Sequence, residues 1–229
     1  METLGDLLAD DRRTGDPAVR VPGDPAVTYD DDEFVTTAWK TANFFSHRGV
    51  HRGATVAVVD DHAAPALLAL FGAAQLGATT RFVAPPADDG AGPSVDARLL
   101  VGPGESVLAY DLPPGATRVA YTPGPGVDDP AVEPFGRSVW SENPVRPPES
   151  VDPDATALTF EERDATHSDL LRSAENAAAD LGPGDEVAVR ASLTHRDAVV
   201  RGVLAPLLAG ATVVFGGGEN GSDAAVVVE

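Results

Sequence analysis

The chain has 229 residues with 36 acidic side chains against 16 basic ones, a formal net charge of −20, and no cysteine. Disulfides and thiolate metal sites are therefore excluded, and nothing basic enough to meet the phosphates of a nucleic acid is present. No apolar run approaches the roughly 18 residues of a membrane span, and Met1–Asp6 has neither the basic nor the apolar part of a secretion signal, so a cytoplasmic protein with no membrane or nucleic-acid partner is expected.

Lys40 is the only lysine, Asp outnumbers Glu, and small apolar residues replace bulky ones. Such a composition is similar to that of halophile proteins, whose acidic surfaces stay hydrated where molar salt shortens screening to about 3 Å. The acids are spread along the chain, which argues against a dedicated acidic tail.

Leu4, Leu7 and Leu8 form a short amphipathic segment, and Gly15, Pro17, Pro22, Gly23 and Pro25 then break the chain. Ala26–Tyr29 reads as a short strand. Asp30, with Glu33 three residues on, has the spacing of a helix capping box, and Phe34, Ala38, Ala42 and Phe45 place a helix over 33–47 that Gly49 ends. Thr55–Val59 is a continuous apolar run of the kind a parallel strand covered on both faces needs. A second helix is predicted over 63–76, ended by Gly77, with a strand at Thr79–Val83. Further strands are predicted at Arg98–Val101, Val107–Tyr110 and Arg118–Tyr121. Residues 122–153, rich in proline and acid, read as an irregular connection, with Phe135 and Trp140 packing part of it down.

The pattern then returns. Leu158-Thr159-Phe160 matches Val27-Thr28-Tyr29, and Val187-Ala188-Val189 matches Val56-Ala57-Val58, both at an offset of 131; Gly210-Ala211-Thr212 matches Gly77-Ala78-Thr79 at 133. Between them Thr166 caps a helix carrying Leu170, Ala174 and Ala177, and a helix over 195–209 should be kinked by Pro206. The fold class expected is α/β: two related doubly wound β-α-β-α-β subdomains packed into a layered body, over 1–121 and 154–229, the latter a repeat of 26–84.

Thr28-Tyr29, Gly49-Val50, Gly53, Val56-Ala57-Val58 and Gly77-Ala78 resemble the opening of the adenylate-forming enzymes, the superfamily of acyl-CoA synthetases and peptide-synthetase adenylation domains. Ala155–Phe160 resembles the strand that leads into their phosphate loop, and Thr166-His167-Ser168 the segment that opens the helix after it. The resemblance implies that a Ser/Thr/Gly-rich phosphate loop ending in Pro-Lys-Gly should stand before Thr166; Glu161, Glu162, Arg163 and Asp164 stand there instead. It also implies a remnant nucleotide site at Thr159, Thr166 and His167, with ATP or AMP as ligand only if that site survives. The later family segments for adenine, ribose and the catalytic lysine have no counterpart here. No catalytic or metal-binding residue is therefore assigned, and no cofactor is expected. What the resemblance leaves is a catalytically silent relative that binds a protein partner, itself or a small molecule. The alternatives are a subunit of a split ligase or a small nucleotide- or acyl-binding enzyme using the cleft between subdomains.

The histidines lack metal-ligand spacing, and the serines lack a Gly-x-Ser-x-Gly setting. Two glycine-rich stretches, Thr122–Gly126 and Gly216–Gly221, read as turns, because the first has prolines in place of N–H donors and the second opens a strand instead of a helix.

Overall fold

The computed structural model describes every residue except 24–25, 87–92, 105, 122–128, 217–225 and 229. Thr122–Gly126 and all of the second glycine run but Gly216 thus lie outside the described residues, and so does the loop around Gly90.

Two sheets form the body. The larger has the strand order β7-β6-β5-β3-β4-β8-β9, in which β3 is Thr55–Val59, β4 Thr79–Val83, β5 Leu99–Pro103, β6 Thr117–Tyr121, β7 Val132–Pro134, β8 Thr156–Thr159 and β9 Asp164–Thr166. The smaller has the order β12-β10-β11-β1-β2, with β1 at Pro17–Val21, β2 at Val27–Asp30, β10 at Glu186–Val189, β11 at Thr212–Phe215 and β12 at Val226–Val228. Every described pairing is parallel except β1–β2 and β8–β9 at one edge of each sheet.

Strand alternation explains the layering. Val56 and Val58 of β3 point into a large core shared with the helices and the smaller sheet, while Ala57 and Val59 point to a second core on the opposite face. The main core holds helices α1 (Asp31–His47) and α2 (Ala64–Gln75); the outer one is closed by α3 (Ser106–Ala109), which contributes Val107. Helix α2 is apolar around its whole circumference, and all its residues but Pro65 are buried, as a helix between layers must be. It meets α1 closely at Gly72, where an added Cβ would lie 2.8 Å from the Thr41 methyl and 3.2 Å from the Ala42 nitrogen. Helix α1 starts as its sequence requires, with Asp30 Oδ1 accepting the Glu33 N–H at 2.7 Å. It ends with Gly49 at φ +77° and the Val50 N–H returning to the Phe45 carbonyl.

The second half builds α5 (His167–Ala177), then α6 (Arg196–Val199), a π turn (Val200–Leu204) and α7 (Ala205–Ala209). The π turn is the form taken by the expected kink. Pro206 has no N–H to donate, and the ladder widens just before it.

The recurrence is topological, with its members shifted from the sequence match. Strand β8 lies beside β4 as β1 lies beside β11, and β9, like β2, is the antiparallel edge strand that runs into a helix. The first N–H of each helix even returns to the residue before the pair: Asp31 to the Asp16 carbonyl at 2.9 Å, His167 to the Ala155 carbonyl at 3.2 Å. Leu158–Phe160 therefore corresponds to the stretch around β1, and the counterpart of Val27–Tyr29 is β9. The division of the chain near 121 and 154 is not a division of the sheets, since each strand pair completes the sheet built by the other half.

Two expectations are corrected. Val107–Tyr110 falls in the connection between the parallel strands β5 and β6, which has to cross over, and a short helix does so. The stretch 122–153 is more than a connection: β7 pairs with β6, and α4 (Phe135–Trp140) follows. Phe135 is buried there, but Trp140 is 81 % exposed. No helix among the described residues is long and apolar enough to cross a membrane.

Candidate functional site

In open parallel sheets, ligands gather where loops leave the carboxyl ends of strands. Here the loops after β3, β8 and β10 meet at one such rim, and those after β3 and β10 come from different sheets. Asp60, just beyond β3, is buried, and its Oδ2 accepts the Leu193 N–H at 2.9 Å. Its Oδ1 has no hydrogen bond among the described residues and lies 3.9 Å from His62 Nε2. His62 has φ +55°, the left-handed region, unlike any other described non-glycine residue. Such a conformation costs about 1–2 kcal/mol unless its surroundings hold it. Here they do: Nε2–H donates to the Ala191 carbonyl at 2.9 Å, and the ring stacks on Phe215 with centroids 5.4 Å apart. Tyr121 donates its hydroxyl to Asp61 Oδ1 at 2.6 Å; burial, then the Asp61 charge, raises the pKa of that hydroxyl and keeps it a donor.

Beside this latch is a crevice of about 450 Å³ lined by Phe160–Arg163 and Thr194–Asp197. The turn 160–163 is tight: Thr159 pairs with Asp164, and the Phe160 N–H donates to the Arg163 carbonyl at 3.1 Å. Glu161, Glu162, Arg163 and Asp164 are all exposed. Across the crevice Arg196 is held by Ser173, its Nη2 donating to Oγ at 2.6 Å, while its Nε is buried without a partner among the described residues. Ser192 and Thr194 share a hydroxyl hydrogen bond of 2.6 Å.

None of Thr159, Thr166 and His167 lines the crevice. Thr159 is half-buried at the end of β8, and Thr166 Oγ1 accepts the Asp169 N–H at 3.1 Å as the cap of α5. His167 is fully buried; its Nδ1 accepts the Leu4 N–H at 3.2 Å, and Nε2 has no partner among the described residues. Burial lowers its pKa to about 4 against the opposing pull of Asp6, so the ring is neutral and serves as an anchor for the first turn of the chain. The residues that do line or brace the rim, Asp60, His62, Thr194, His195 and Arg196, carry no motif that marks them in the sequence. A weaker signal exists: His62 and His195 each stand 15 residues before the matched glycines Gly77 and Gly210. Among the described residues no three potential metal ligands converge.

No family model matches the sequence, and no curated protein does either. Solved structures do resemble the fold. A nonribosomal peptide synthetase, FmoA3, superposes with a TM-score of 0.71 at 23 % identity, over 93 % of this chain and 22 % of its own. The anthranilate CoA ligase AuaEII, solved with anthranoyl-AMP, gives 0.73 at 16 % identity over 94 % and 45 %. The N-terminal domain of FACL13 from Mycobacterium tuberculosis gives 0.70 at 15 % over 94 % and 57 %. The chain thus has the fold of the N-terminal domain of acyl-CoA synthetases and adenylation domains, and spans between about a fifth and three-fifths of the length of these structures.

Proposed function

We propose that this chain is an adenylate-forming-like module that does not activate acyl groups on its own and acts by binding a protein partner or a small molecule. The observation that carries this reading is the exposed run Glu161–Asp164. A phosphate cradle needs outward N–H groups and balancing cations. Here a four-residue turn presents Glu161 and Glu162, with Asp164 beside them and Asp197 on the facing wall, against Arg163 and the partly engaged Arg196. Nucleotide phosphates do not fit that charge arrangement. Calorimetry in 2 M KCl with ATP, AMP and an acyl-CoA tests the reading: absence of heat is expected, and micromolar binding of any of the three would overturn it.

A second reading is a subunit of a split ligase, in keeping with the fold shared with the N-terminal domain of acyl-CoA synthetases. Co-purification with a chain carrying the later segments, giving pyrophosphate exchange that neither chain shows alone, would establish it. The salt-adapted surface inferred from composition and a cytoplasmic location belong to this proposal.

A further inference from the structure

A wide opening lies away from the acidic turn, between α1 and α4, with a volume of about 900 Å³. That size is within the range of small-ligand sites. Its floor is aromatic and apolar: Tyr121 and Phe135 meet edge to face with centroids 6.3 Å apart, with Val139 alongside, all three buried. Trp140 stands at the rim, 81 % exposed, and is the most exposed large apolar side chain described. Tryptophan contributes heavily to binding wherever a partner desolvates it.

The charges around the groove are sorted. Asp30, Asp32 and Glu33 are at one end with Tyr29; Asp30 caps α1 and Asp32 lies 3.5 Å from Arg13, while Glu33 is exposed and forms no ion pair among the described residues. Lys40, the sole lysine, is seven residues further along the same face of α1, about 10 Å by the helical rise. Lys40 Nζ sits 5.0 Å from the Trp140 ring centroid and donates to the Trp140 carbonyl at 3.2 Å, so donor capacity remains. Arg137, across the groove on α4, is exposed and pairs with no carboxylate among the described residues. In a chain of net charge −20, two cations left without carboxylates on one groove, facing an unpaired acid about 10 Å away, make a dipolar site.

We propose that this groove binds a short zwitterionic peptide in extended form. Its ammonium end meets Glu33, an apolar or aromatic side chain lies over Tyr121 and Phe135 beside Trp140, and its carboxylate meets Lys40 and Arg137. The charge separation decides the length: about 10 Å spans roughly three extended residues, and a single amino acid is too short to reach both ends. The site is independent of the crevice at 160–164 and stands or falls separately from the reading proposed for it.

The chain has two tryptophans, and Trp39 is buried, so Trp140 emission reports on the groove. The probe is the tripeptide Ala-Phe-Ala titrated in 2 M KCl, compared with its N-acetylated and C-amidated forms. The free peptide should shift Trp140 emission, and each blocked form should bind about tenfold more weakly through loss of one charge-assisted contact. Lys40→Ala with Arg137→Ala should erase the penalty for amidation and keep that for acetylation; Glu33→Gln should do the reverse. Calorimetry on Trp140→Phe, where the optical signal is gone, should show weakened binding. Equal binding of free and blocked peptides, penalties unchanged in the variants, or no binding up to about 10 mM would overturn the proposal.

Discussion

The two edge pairs, β1–β2 and β8–β9, put the same device to opposite chemical use. Each runs antiparallel into a helix capped by its own side chain, Asp30 for α1 and Thr166 for α5. The next residue then ties down the N-terminal segment. At the start of α1 this is Asp31, whose carboxylate accepts the Thr14 N–H at 2.6 Å, the Thr14 hydroxyl at 2.7 Å and the Gly15 N–H at 2.8 Å. At the start of α5 it is His167, a neutral ring in the core accepting the Leu4 N–H. An exposed helix start favours an anion with several donors and water nearby; a buried one tolerates an acceptor only if it carries no charge. Position in the topology fixed the role, and burial selected the residue.

The comparison breaks most sharply at His167. Its folded pKa of about 4 lies below the ordinary 6.5, so the unfolded chain takes up the proton first. This group's stabilisation is complete above pH 6.5 and is lost as pH falls towards 4, by about 3 kcal/mol at most. Urea unfolding at pH 7 and pH 4.5 should show the loss, and His167→Gln should flatten it; a native slope unchanged by the substitution would refute the anchor. At pH 7, His167→Ala should cost about 3 kcal/mol, through the cavity and the unpaired Leu4 N–H.

Asp31 has the contrary sign. Burial pushes its carboxyl up, but the donors of Thr14 and Gly15 with the Asp32 N–H outweigh it and hold the pKa below 3.8. Its contribution is present above pH 3.8 and disappears below it. Asp31→Asn should cost about 1–2 kcal/mol at pH 7, since a charged acceptor is replaced by a neutral one, and acid titration of the variant should show a shallower loss below that pH. The caps come next: Asp30→Ala and Thr166→Ala should each cost about 1 kcal/mol in chemical unfolding, and a large inequality would show that the helix starts of α1 and α5 are not equivalent. The smallest effect belongs to the acidic turn. Replacing Glu161, Glu162 and Asp164 together by serine should change stability by within about 0.5 kcal/mol, as their exposure requires, without conferring pyrophosphate exchange.

Local signals are readable from the residues alone. Both caps, the glycine stop at Gly49 and the apolar run of β3 follow from contacts within a few positions, and each stands where its spacing places it. What escapes depends on pairing partners that the local pattern does not mark. Strand β1 begins at a proline, and beside its antiparallel neighbour β2 it is held by β11, nearly 200 residues away, a partner that no local pattern marks. Strand β9 is three residues of a stretch that reads as a polar turn, and its pairing with β8 makes it a strand. The rim is hidden for the same reason. Thr166 and His167 are legible as a helix start, but burial of His167 against Leu4 is a long-range fact, as is the meeting of His62 with Ala191.

The crossed strand pairs have a consequence for how the molecule comes apart. Cutting the chain anywhere in 141–153 would leave the amino-terminal piece holding β1 and β2 with no β11 to receive them, and the carboxyl-terminal piece holding β8 and β9 with no β4. Neither fragment keeps both partners of its crossed strand pair, although each has its own helices. Melting should therefore be all-or-none, with calorimetric and van't Hoff enthalpies equal, where two beads on a string would melt apart. The halves behave as clasped hands: a lineage that duplicated such a unit could not later separate the copies without rebuilding an edge on both.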